Sequence, residues 1–351
     1  MTDTPHDRIT RRDALMMAGA AAGSSLLSGR SLFAADGGSL AQKGKRPALA
    51  IFSRHLQWAS AEEAIEVASD SGFSGIGWTV RNGAHVEPKN VARDLPRIVE
   101  LTHRAGLGTP LIATELTGAD APFAEAIVET AAGLGIHRYG VETPRYDRTQ
   151  ELATQLDGMR PTIEALVRLN ERHGSMALFH THAGIGKVGG AVWDLWLLLR
   201  DFDPKRVAIN YDTGLGPMGS GLGWNTALRF VHRHIGSLSL KDYRWQPPAQ
   251  SGGISEPQIC QPGEGVINFK ELLGYFQSTG YDGPAEVQFE YPIGVPGRAG
   301  TINLMNNLAV GKWKLEMQKS DLVALLKRDA DFYAARFLEV GLRPASGLPP
   351  A

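Results

Sequence analysis

Four apolar, strand-like runs of this chain each lead into ionisable side chains. They read ALFHTHAG at 177–184, INYDTGL at 209–215, SLKDY at 239–243 and EVQFEY at 286–291. Side chains alternate across a strand, so His180 and His182 share one face, as do Asn210 and Asp212. When several strands end in such groups, a shared site at one end of a parallel barrel is the economical explanation. That site would hold a divalent metal ion or an acid/base pair.

Strand-like runs alternate with helical patterns about eight times between residues 48 and 291. This alternation predicts a parallel sheet with right-handed crossovers, and its extent indicates a single closed (β/α)8 barrel, the TIM barrel. An open doubly wound sheet is the alternative, but no glycine-rich phosphate fingerprint follows the first strand. Long loops at 244–265 and 292–320 follow strands seven and eight, and 321–340 is predicted to be an amphipathic closing helix.

The first 41 residues are predicted to be an export signal rather than part of the fold. Arg11 and Arg12 precede a stretch at 14–29 that carries no charge, and small residues suited to cleavage follow at 39–41. This pattern resembles a twin-arginine signal. The mature chain, 42–351, is therefore expected to be one barrel domain in the periplasm or elsewhere outside the cytoplasmic membrane. The apolar stretch is too short and too rich in small residues for a permanent membrane anchor.

Charge and cysteine content argue against several classes of function. The net charge is −1, which gives no reason to expect a nucleic-acid partner. A metal-dependent phosphodiesterase or abasic-site nuclease on a related barrel would need a basic groove, so that class is disfavoured. Cys260 is the single cysteine, so no internal disulfide is expected, and no His lies in a motif beside it that would activate a thiol.

Several short motifs together carry a family resemblance. They are FSRHLQW at 52–58, TVRNGAHV at 79–86, HTHAG at 180–184, YDTG at 211–214, LKD at 240–242, PGEG at 262–265 and FEY at 289–291. Over about residues 48–291 the chain resembles the sugar phosphate isomerase/epimerase family, the xylose-isomerase-like barrels that include inosose dehydratases and ketose 3-epimerases. Within that family it is similar to an exported branch that has an Arg-x-Gly-x-His-Val segment after strand two.

The resemblance implies one divalent ion, Mn²⁺, Mg²⁺, Co²⁺ or Zn²⁺, held at the ends of strands five to eight. Asp212 and Glu290 match the ligands of strands six and eight, whereas strand five usually supplies a Glu and His180 stands in that place. Strand seven of the family usually supplies a His, and Ser239 stands there instead. Two residues could supply the missing ligand: His182, one pleat closer to the rim, or Glu142 at the end of strand four.

Each of these residues also has an ordinary structural interpretation. His180 could be a hydrogen-bonded core histidine, Asp212 could close an Asx-turn at a strand end, and Glu290 could cap a helix. A Glu at the end of an apolar strand is nevertheless costly unless it is paired or binds a metal. Glu286, deeper in the same strand, could be the partner of a basic residue.

A ketone or hydroxyl bound to the ion would make the neighbouring C–H acidic enough for a carboxylate or an imidazole to remove its proton. His182, Lys241 and Glu142 are the candidate catalytic residues. Lys241 would polarise a carbonyl or act as an acid/base with a lowered pKa. The resulting enediolate could be reprotonated on the other face, reprotonated on the other carbon, or lose a β-oxygen. Epimerase, isomerase and lyase therefore all stay open.

Five residues on the loops after strands one, two and seven are expected to bind the sugar: His55, Gln57, Arg81, His85 and Asp242. Asp242 could instead form a plain salt bridge with Lys241. Three tryptophans, Trp58, Trp78 and Trp245, are candidates for a stacking wall, with packing in the core as the alternative.

The sequence therefore predicts a metal-dependent isomerase or epimerase, or a lyase, acting on a small-molecule sugar or keto-sugar. An exported enzyme favours an unphosphorylated substrate, and the exported branch suggests a 3-keto-glycoside lyase or hydratase. The alternative is a non-catalytic exported sugar-binding barrel, in which the missing His of strand seven records lost metal affinity. The substrate, the metal and the number of subunits, including a homo-oligomer, stay open.

Overall fold

The computed structural model describes residues 46–184, 186–248, 250–297, 299–306 and 309–348. The predicted export signal at residues 1–41 lies outside these ranges. The described residues belong to one unit that begins at Arg46. No helix within them is long and apolar enough to cross a membrane.

Twelve strands are assigned within the described ranges. In chain order they are β1 (Ala50–Phe52), β2 (Gly75–Val80), β3 (Ile112–Thr114), β4 (Arg138–Gly140), β5 (Met176–His180), β6 (Val207–Asp212), β7 (Ile235–Leu240), β8 (Asp242–Gln246), β9 (Glu256–Cys260), β10 (Ala285–Val287), β11 (Ile293–Gly294) and β12 (Thr301–Ile302). Eight of them close a parallel barrel in the order β1-β10-β7-β6-β5-β4-β3-β2. This confirms the predicted (β/α)8 fold.

The α-helices connect and cover the barrel strands. They are α1 (Ala61–Asp70), α2 (Val91–Arg104), α3 (Ala124–Gly133), α4 (Leu152–His173), α5 (Trp193–Leu199), α6 (Leu215–Ser220), α7 (Trp224–Val231), α8 (Phe269–Ser278) and α9 (Lys319–Val340). α4 ends at Gly174, whose φ of 63° is a left-handed conformation that costs glycine little. α9 buries Leu322, Leu326, Tyr333 and Phe337, which confirms the predicted amphipathic closing helix.

The strand register explains why distant parts of the chain meet at one end of the barrel. Both faces of β2 and β6 are buried, because one face fills the barrel and the other meets the helices. Across β5, β6, β7 and β10 the register pairs His180 with Asn210, Asp212 with Ser239, and Ser239 with Glu286. Parallel strands place their carboxyl ends together, so these side chains share one end of the barrel.

The long loops predicted after strands seven and eight contain hairpins. β8 pairs with β9, and β11 pairs with β12, both antiparallel. After the second hairpin, the amide of Val310 donates to Gly83 O at 2.7 Å and the amide of Gly311 donates to Gln57 O at 3.2 Å, which ties this loop to those after β1 and β2. Cys260, at the end of β9, is buried, and burial raises the pKa of its thiol to about 12. The thiol therefore stays protonated at neutral pH.

Gly77, in β2, leaves the space that the Glu286 side chain fills. A Cβ at residue 77 would lie 1.8 Å from Glu286 Oε1. Gly77→Ala is therefore expected to displace Glu286 and to lower the free energy of unfolding by about 1–3 kcal/mol, as overpacked cores do. Urea denaturation measures this.

The matched control is Gly158→Ala, in the exposed middle of α4, where nothing lies within 4 Å of the added Cβ. That change is expected to raise the unfolding free energy by up to about 1 kcal/mol, since alanine is the better helix former. A Gly77→Ala protein as stable as the unsubstituted one would contradict the packing described here.

Candidate active site

A cavity of about 330 Å³ opens at the carboxyl ends of the barrel strands. The charged and polar side chains that line it are Arg54, Arg81, Glu142, Thr143, His180, His182, Lys187, Asn210, Glu286, Gln288 and Glu290. A larger hollow of about 450 Å³ lies between α7, β8 and α8, where Trp224, Tyr243 and Trp245 make it mostly apolar. Acid, base and cationic groups converge in the smaller cavity, so it is the candidate active site.

Lys241 lies beneath this cavity, between two carboxylates. Its Nζ is 2.9 Å from Asp212 Oδ2 and 2.8 Å from Glu290 Oε1. The Lys241 side chain is fully enclosed, whereas that of Glu290 is 24% exposed and reaches the cavity. Burial alone lowers the pKa of Lys241, but the two carboxylates outweigh it and the pKa is raised. Lys241 is therefore an ammonium group at neutral pH.

Asp212 is held by three further donors. His180 Nε2 donates to Asp212 Oδ2 at 3.1 Å, and the amides of Gly214 and Leu215 donate to Asp212 Oδ1 at 2.9 and 2.8 Å. Burial raises the pKa of Asp212, yet Lys241 and His180 together bring it below its ordinary value. Asp212 can therefore close the Asx-turn and belong to the site at once. Its Oδ1 accepts the turn amides, and its Oδ2 faces His180 and Lys241.

A chain of hydrogen bonds runs from His180 to Glu286 across the barrel. Asn210 Nδ2 donates to His180 Nδ1 at 3.0 Å, and Ser239 Oγ donates to Asn210 Oδ1 at 3.1 Å. Gln288 Nε2 then donates to Ser239 Oγ at 3.1 Å and to Glu286 Oε2 at 3.0 Å. This order of donors and acceptors assigns the Nε2–H tautomer to His180. Ser239 is thus a link between two amides, in the place where the family usually has a His.

Glu286 is a buried carboxyl group at the floor of the cavity. Burial raises its pKa to about 8, because the hydrogen bond from Gln288 and the charges of Lys241 and Arg81 offset only part of the burial. Oε1 of Glu286 has no hydrogen-bond partner among the described residues. At neutral pH this group is largely the uncharged acid.

His182, Glu142 and Lys187 stand closer to the mouth of the cavity. The ring centroids of His182 and His180 are 4.6 Å apart. Burial is the main cause that lowers the pKa of His182 to about 2, and the charge of Lys187 adds to it, so the His182 ring is neutral. Glu142 is exposed after β4. Lys187, on the loop after β5, is partly buried, and burial together with the charge of Arg145 lowers its pKa.

Arg81 lines the cavity, as its predicted sugar-binding role requires, but His55 does not. His55 is wholly buried, and its Nε2 accepts a hydrogen bond from the Phe289 amide at 3.0 Å. The reason is the 3₁₀ turn Ser53–Leu56 that follows β1. This turn directs His55 into the core, and its neighbour Arg54 lines the cavity instead.

Gln57 and His85 also lie away from the cavity lining. Gln57 is 3% exposed, and His85 Nε2 donates to Ala59 O at 3.2 Å while its ring meets the edge of Trp78. Trp78 is buried with its Nε1 hydrogen-bonded to a threonine, and Trp245 lines the outer hollow. Neither tryptophan forms a stacking wall at the central cavity.

Asp242 anchors a loop and is buried away from the cavity. Its two oxygens accept backbone hydrogen bonds at 2.8–3.3 Å from the amides of Tyr243, Gly263, Gly265 and Ile267. The carboxylate is 1% exposed and is engaged on both oxygens. The structure therefore corrects the sugar-binding prediction for Asp242, because the returning loop after β9 uses it. The alternative, a plain salt bridge between Asp242 and Lys241, is not formed. Lys241 pairs with Asp212 and Glu290 instead.

Sequence reasoning did not assign a role to Arg54, Lys187, Asn210 or Gln288. Arg54 follows the first strand directly, and Lys187 stands in the glycine-rich segment after the HTHAG motif. Asn210 and Gln288 each lie two residues before a predicted ligand, so strand alternation places them on the same face as that ligand. That alternation was the available signal for both amides.

The donor set, as placed, does not fit a divalent ion. Within the described ranges no group of three His, Cys, Asp or Glu side chains is arranged to hold a metal. The Lys241 ammonium fills the gap between Asp212 and Glu290, both ring nitrogens of His180 are engaged, and Glu142 is on the exposed rim. The four-ligand site therefore stays a prediction that this placement of side chains does not favour. Lys241 itself is enclosed beside Glu290, and its pKa is raised rather than lowered as predicted for an acid/base, because Asp212 and Glu290 outweigh burial.

Comparison with known proteins agrees with this fold. A sequence model of the xylose isomerase-like TIM barrel family matches residues 65–308. Inosose dehydratase of Lacticaseibacillus casei is 28% identical over 155 residues, which cover 41% of this chain and 48% of that protein. The chain thus matches about half the length of this curated relative.

Solved structures show the same fold at low sequence identity. The 3-keto-D-glucoside 4-epimerase of E. coli, in its apo form, has a TM-score of 0.55 at 14% identity, covering 83% of this chain and 99% of that chain. The IOLI protein with a bound zinc atom has a TM-score of 0.58 at 13% identity, with the same coverage of 83% and 99%.

Lys241 is expected to make a divalent ion unnecessary for stability. Lys241→Ala leaves Asp212 and Glu290 without their shared cation and should lower the unfolding free energy by about 3–5 kcal/mol. Added Mn²⁺ is expected to restore part of that loss in Lys241→Ala, but to leave the thermal midpoint of the unsubstituted protein unchanged.

Elemental analysis of the purified protein and thermal unfolding with and without Mn²⁺ measure these effects. Lys270→Ala, which removes an exposed lysine paired with Glu339, is the control and should gain nothing from Mn²⁺. A stoichiometric divalent ion bound to the unsubstituted protein would contradict the arrangement of charges described above.

Glu286 is expected to make stability fall as the pH rises. Its pKa is raised from 4.5 to about 8 in the folded protein, so the unfolded chain releases this proton first. Between about pH 4.5 and 8 the unsubstituted protein should lose up to about 1.4 kcal/mol per pH unit relative to Glu286→Gln. Urea denaturation of both proteins across this pH range measures the difference, and a constant difference would show that Glu286 is ionised when folded.

Proposed function

Because the chain belongs to the xylose isomerase-like TIM barrel family, we propose that it is a sugar-modifying enzyme of the isomerase, epimerase or dehydratase type. The observation that carries this proposal is the convergence of Glu142, His182, Lys187 and Glu290 on one cavity at the carboxyl end of the barrel. The activities of the similar proteins, inosose dehydratase and 3-keto-D-glucoside 4-epimerase, support it. The substrate would be a small polyhydroxylated ketone.

Glu290 is the proposed general base. Lys241 fixes its Oε1 at 2.8 Å, while the side chain still reaches the cavity. The carboxylate would take the proton from a carbon next to the substrate carbonyl, and the electron pair of that C–H bond would form an enediolate. Lys187 would stabilise the negative charge that develops on the former carbonyl oxygen. The neutral ring of His182 would hydrogen-bond to a neighbouring hydroxyl.

Glu142 is the proposed donor in the second proton transfer: at the exposed rim it would first take up a proton from solvent and then deliver it to the substrate. Delivery of a proton to the opposite face of the same carbon gives an epimer, and delivery to the adjacent carbon gives an isomer. Protonation of a β-hydroxyl breaks its C–O bond and releases water, as a dehydratase does. Release of an alcohol from a 3-keto-glycoside follows the same scheme, and in that case the leaving group is the aglycone.

A zinc-bound neighbour supports a divalent ion in the wider family. In this chain the Lys241 ammonium stands between the two carboxylates that would bind it. No step proposed here therefore uses a metal. Residues 1–41 are proposed as a twin-arginine signal, supported by the arginine pair and the uncharged stretch that follows it, which would place the mature enzyme outside the cytoplasmic membrane.

Exchange of deuterium from solvent tests the proposed chemistry. The protein is incubated in D₂O with 3-keto-glucosides and free ketoses, and deuterium beside the carbonyl is followed by NMR and mass spectrometry. Exchange is expected, and Glu290→Gln should slow it by about 10²–10⁴-fold, because a positioned base is lost. Released aglycone would identify the lyase outcome.

Glu129→Gln, which changes an exposed glutamate of α3, is the matched control and should exchange at the unsubstituted rate. Sugar binding without any exchange would support the non-catalytic binding barrel instead. Full exchange by Glu290→Gln would show that the base has been assigned to the wrong residue.

A further inference from the structure

Arg54 and Arg81 line the cavity without a partner. Arg54 follows β1 and Arg81 follows β2, which are adjacent barrel strands. Neither side chain makes a hydrogen bond or an ion pair within the part of the chain that the structure describes, and the Nε of each is buried without an acceptor. Leaving buried guanidinium N–H groups unpaired is costly. A ligand with acceptor oxygens would remove that cost.

The carboxyl groups near this pair do not satisfy it. Burial lowers the pKa of Arg81 and the charge of Arg54 lowers it further, while Glu142, Glu115 and Glu286 act in the opposite direction. Glu142 is exposed at the rim, and Glu286 keeps its proton at neutral pH. The two like charges thus face the cavity together.

By formal charge, with Glu286 counted as the uncharged acid, the side chains at and beneath the cavity carry an excess of one positive charge. The positive groups are Arg54, Arg81, Lys187 and Lys241, and the negative groups are Glu142, Glu290 and Asp212. Lys241 with Asp212 and Glu290 sums to −1, and Arg54, Arg81, Lys187 and Glu142 sum to +2, so the whole set carries +1. A single carboxylate on the ligand balances it, whereas a phosphate ester carries more negative charge than the lining would neutralise.

From this arrangement we infer that the substrate is an acidic sugar, whose carboxylate binds Arg54 and Arg81 while its reacting carbons lie beside Glu290 and Lys187. Guanidinium groups match a carboxylate through paired N–H donors, which fixes orientation as well as charge. Such an anchor would hold one end of the sugar against β1 and β2. This inference rests on the proposed function and narrows its class of substrate.

Matched pairs of sugars test the inference by isothermal titration calorimetry on the full chain. D-Glucuronate and D-galacturonate are compared with D-glucose and D-galactose, which carry CH₂OH in place of the carboxylate. Each uronate is expected to bind about 10- to 100-fold more tightly than its neutral counterpart, the size expected for charge-assisted hydrogen bonds. D-Glucose 6-phosphate, as a third arm, should bind less tightly than D-glucuronate.

Substitutions of Arg54 and Arg81 test whether the preference for uronates over neutral sugars depends on these two side chains. Arg54→Gln and Arg81→Gln should each lower uronate affinity more than neutral-sugar affinity, so that the ratio of uronate to neutral-sugar affinity falls toward one. Arg81→Lys should be intermediate, because it keeps the charge and loses the paired donors. Arg97→Gln, an exposed arginine of α2 paired with Glu62, is the control and should change nothing.

Three outcomes would overturn the inference. They are equal affinity for acid and neutral sugar, a uronate preference that survives both glutamine variants, and tighter arginine-dependent binding of the phosphate ester. The results also distinguish a failure of this inference from a failure of the proposed function. A uronate preference without deuterium exchange contradicts only the proposed chemistry, while exchange on neutral keto-sugars without any acid preference contradicts only this inference.

Discussion

The enclosed ammonium of Lys241 is the interaction on which the rest of the site depends. Burying an amine and two carboxylates is costly, and their attraction compensates only when the geometry is close and the remaining acceptors are satisfied. Both carboxylates lie within 2.9 Å of Nζ, and Asp212 has three further donors. Asp212 ends β6, Lys241 directly follows β7, and Glu290 lies three residues after β10; these three strands are adjacent in the barrel. The ion pairs therefore join three strand ends and fix Glu290 at the cavity wall.

Hydrogen bonds between uncharged side chains fill the barrel interior beside these ion pairs. From His180 through Asn210, Ser239 and Gln288 to Glu286, each donor has a defined acceptor. A histidine in place of Ser239 could offer a metal ligand, but the serine hydroxyl instead joins two amides. Glu286, uncharged at neutral pH, adds no further charge at the floor. Lys241 is thus paired with two carboxylates, and the side chains beyond them in the barrel interior are polar without adding a further charge.

The sequence is sufficient to predict the barrel and the convergence of its strand ends. Alternating strand and helix patterns require parallel strands, and parallel strands bring His180, Asp212 and Glu290 to one end. The depth of each side chain could not be predicted in the same way. Lys241 could contact a substrate only if its ammonium group were not already paired. Its pairing depends on Asp212 and Glu290, which come from other strands and which the sequence pattern around Lys241 does not reveal.

Turns and loops determine where several other side chains lie, and the periodicity of the sequence does not predict these positions. The 3₁₀ turn after β1 buries His55, which was expected to bind the sugar, and leaves Arg54 in the cavity lining. Asp242 anchors amides of residues 263–267, about twenty positions later, so its role depends on where that loop returns. A strand pattern predicts which end of the barrel a residue reaches, but a loop contact of this kind is a long-range property of the fold.

An ammonium enclosed behind the cavity wall cannot do everything that a metal ion at the same place would do. A bound ion offers open coordination positions to substrate oxygens, whereas Lys241 has no exposed surface and its charge is used by Asp212 and Glu290. Positive charge for a substrate must therefore come from the lining itself. Arg54 and Arg81 follow β1 and β2, on one side of the ion pairs, and Lys187 follows β5, on the other. A ligand that spans the cavity would thus meet cations at both ends and the Glu290 carboxylate between them.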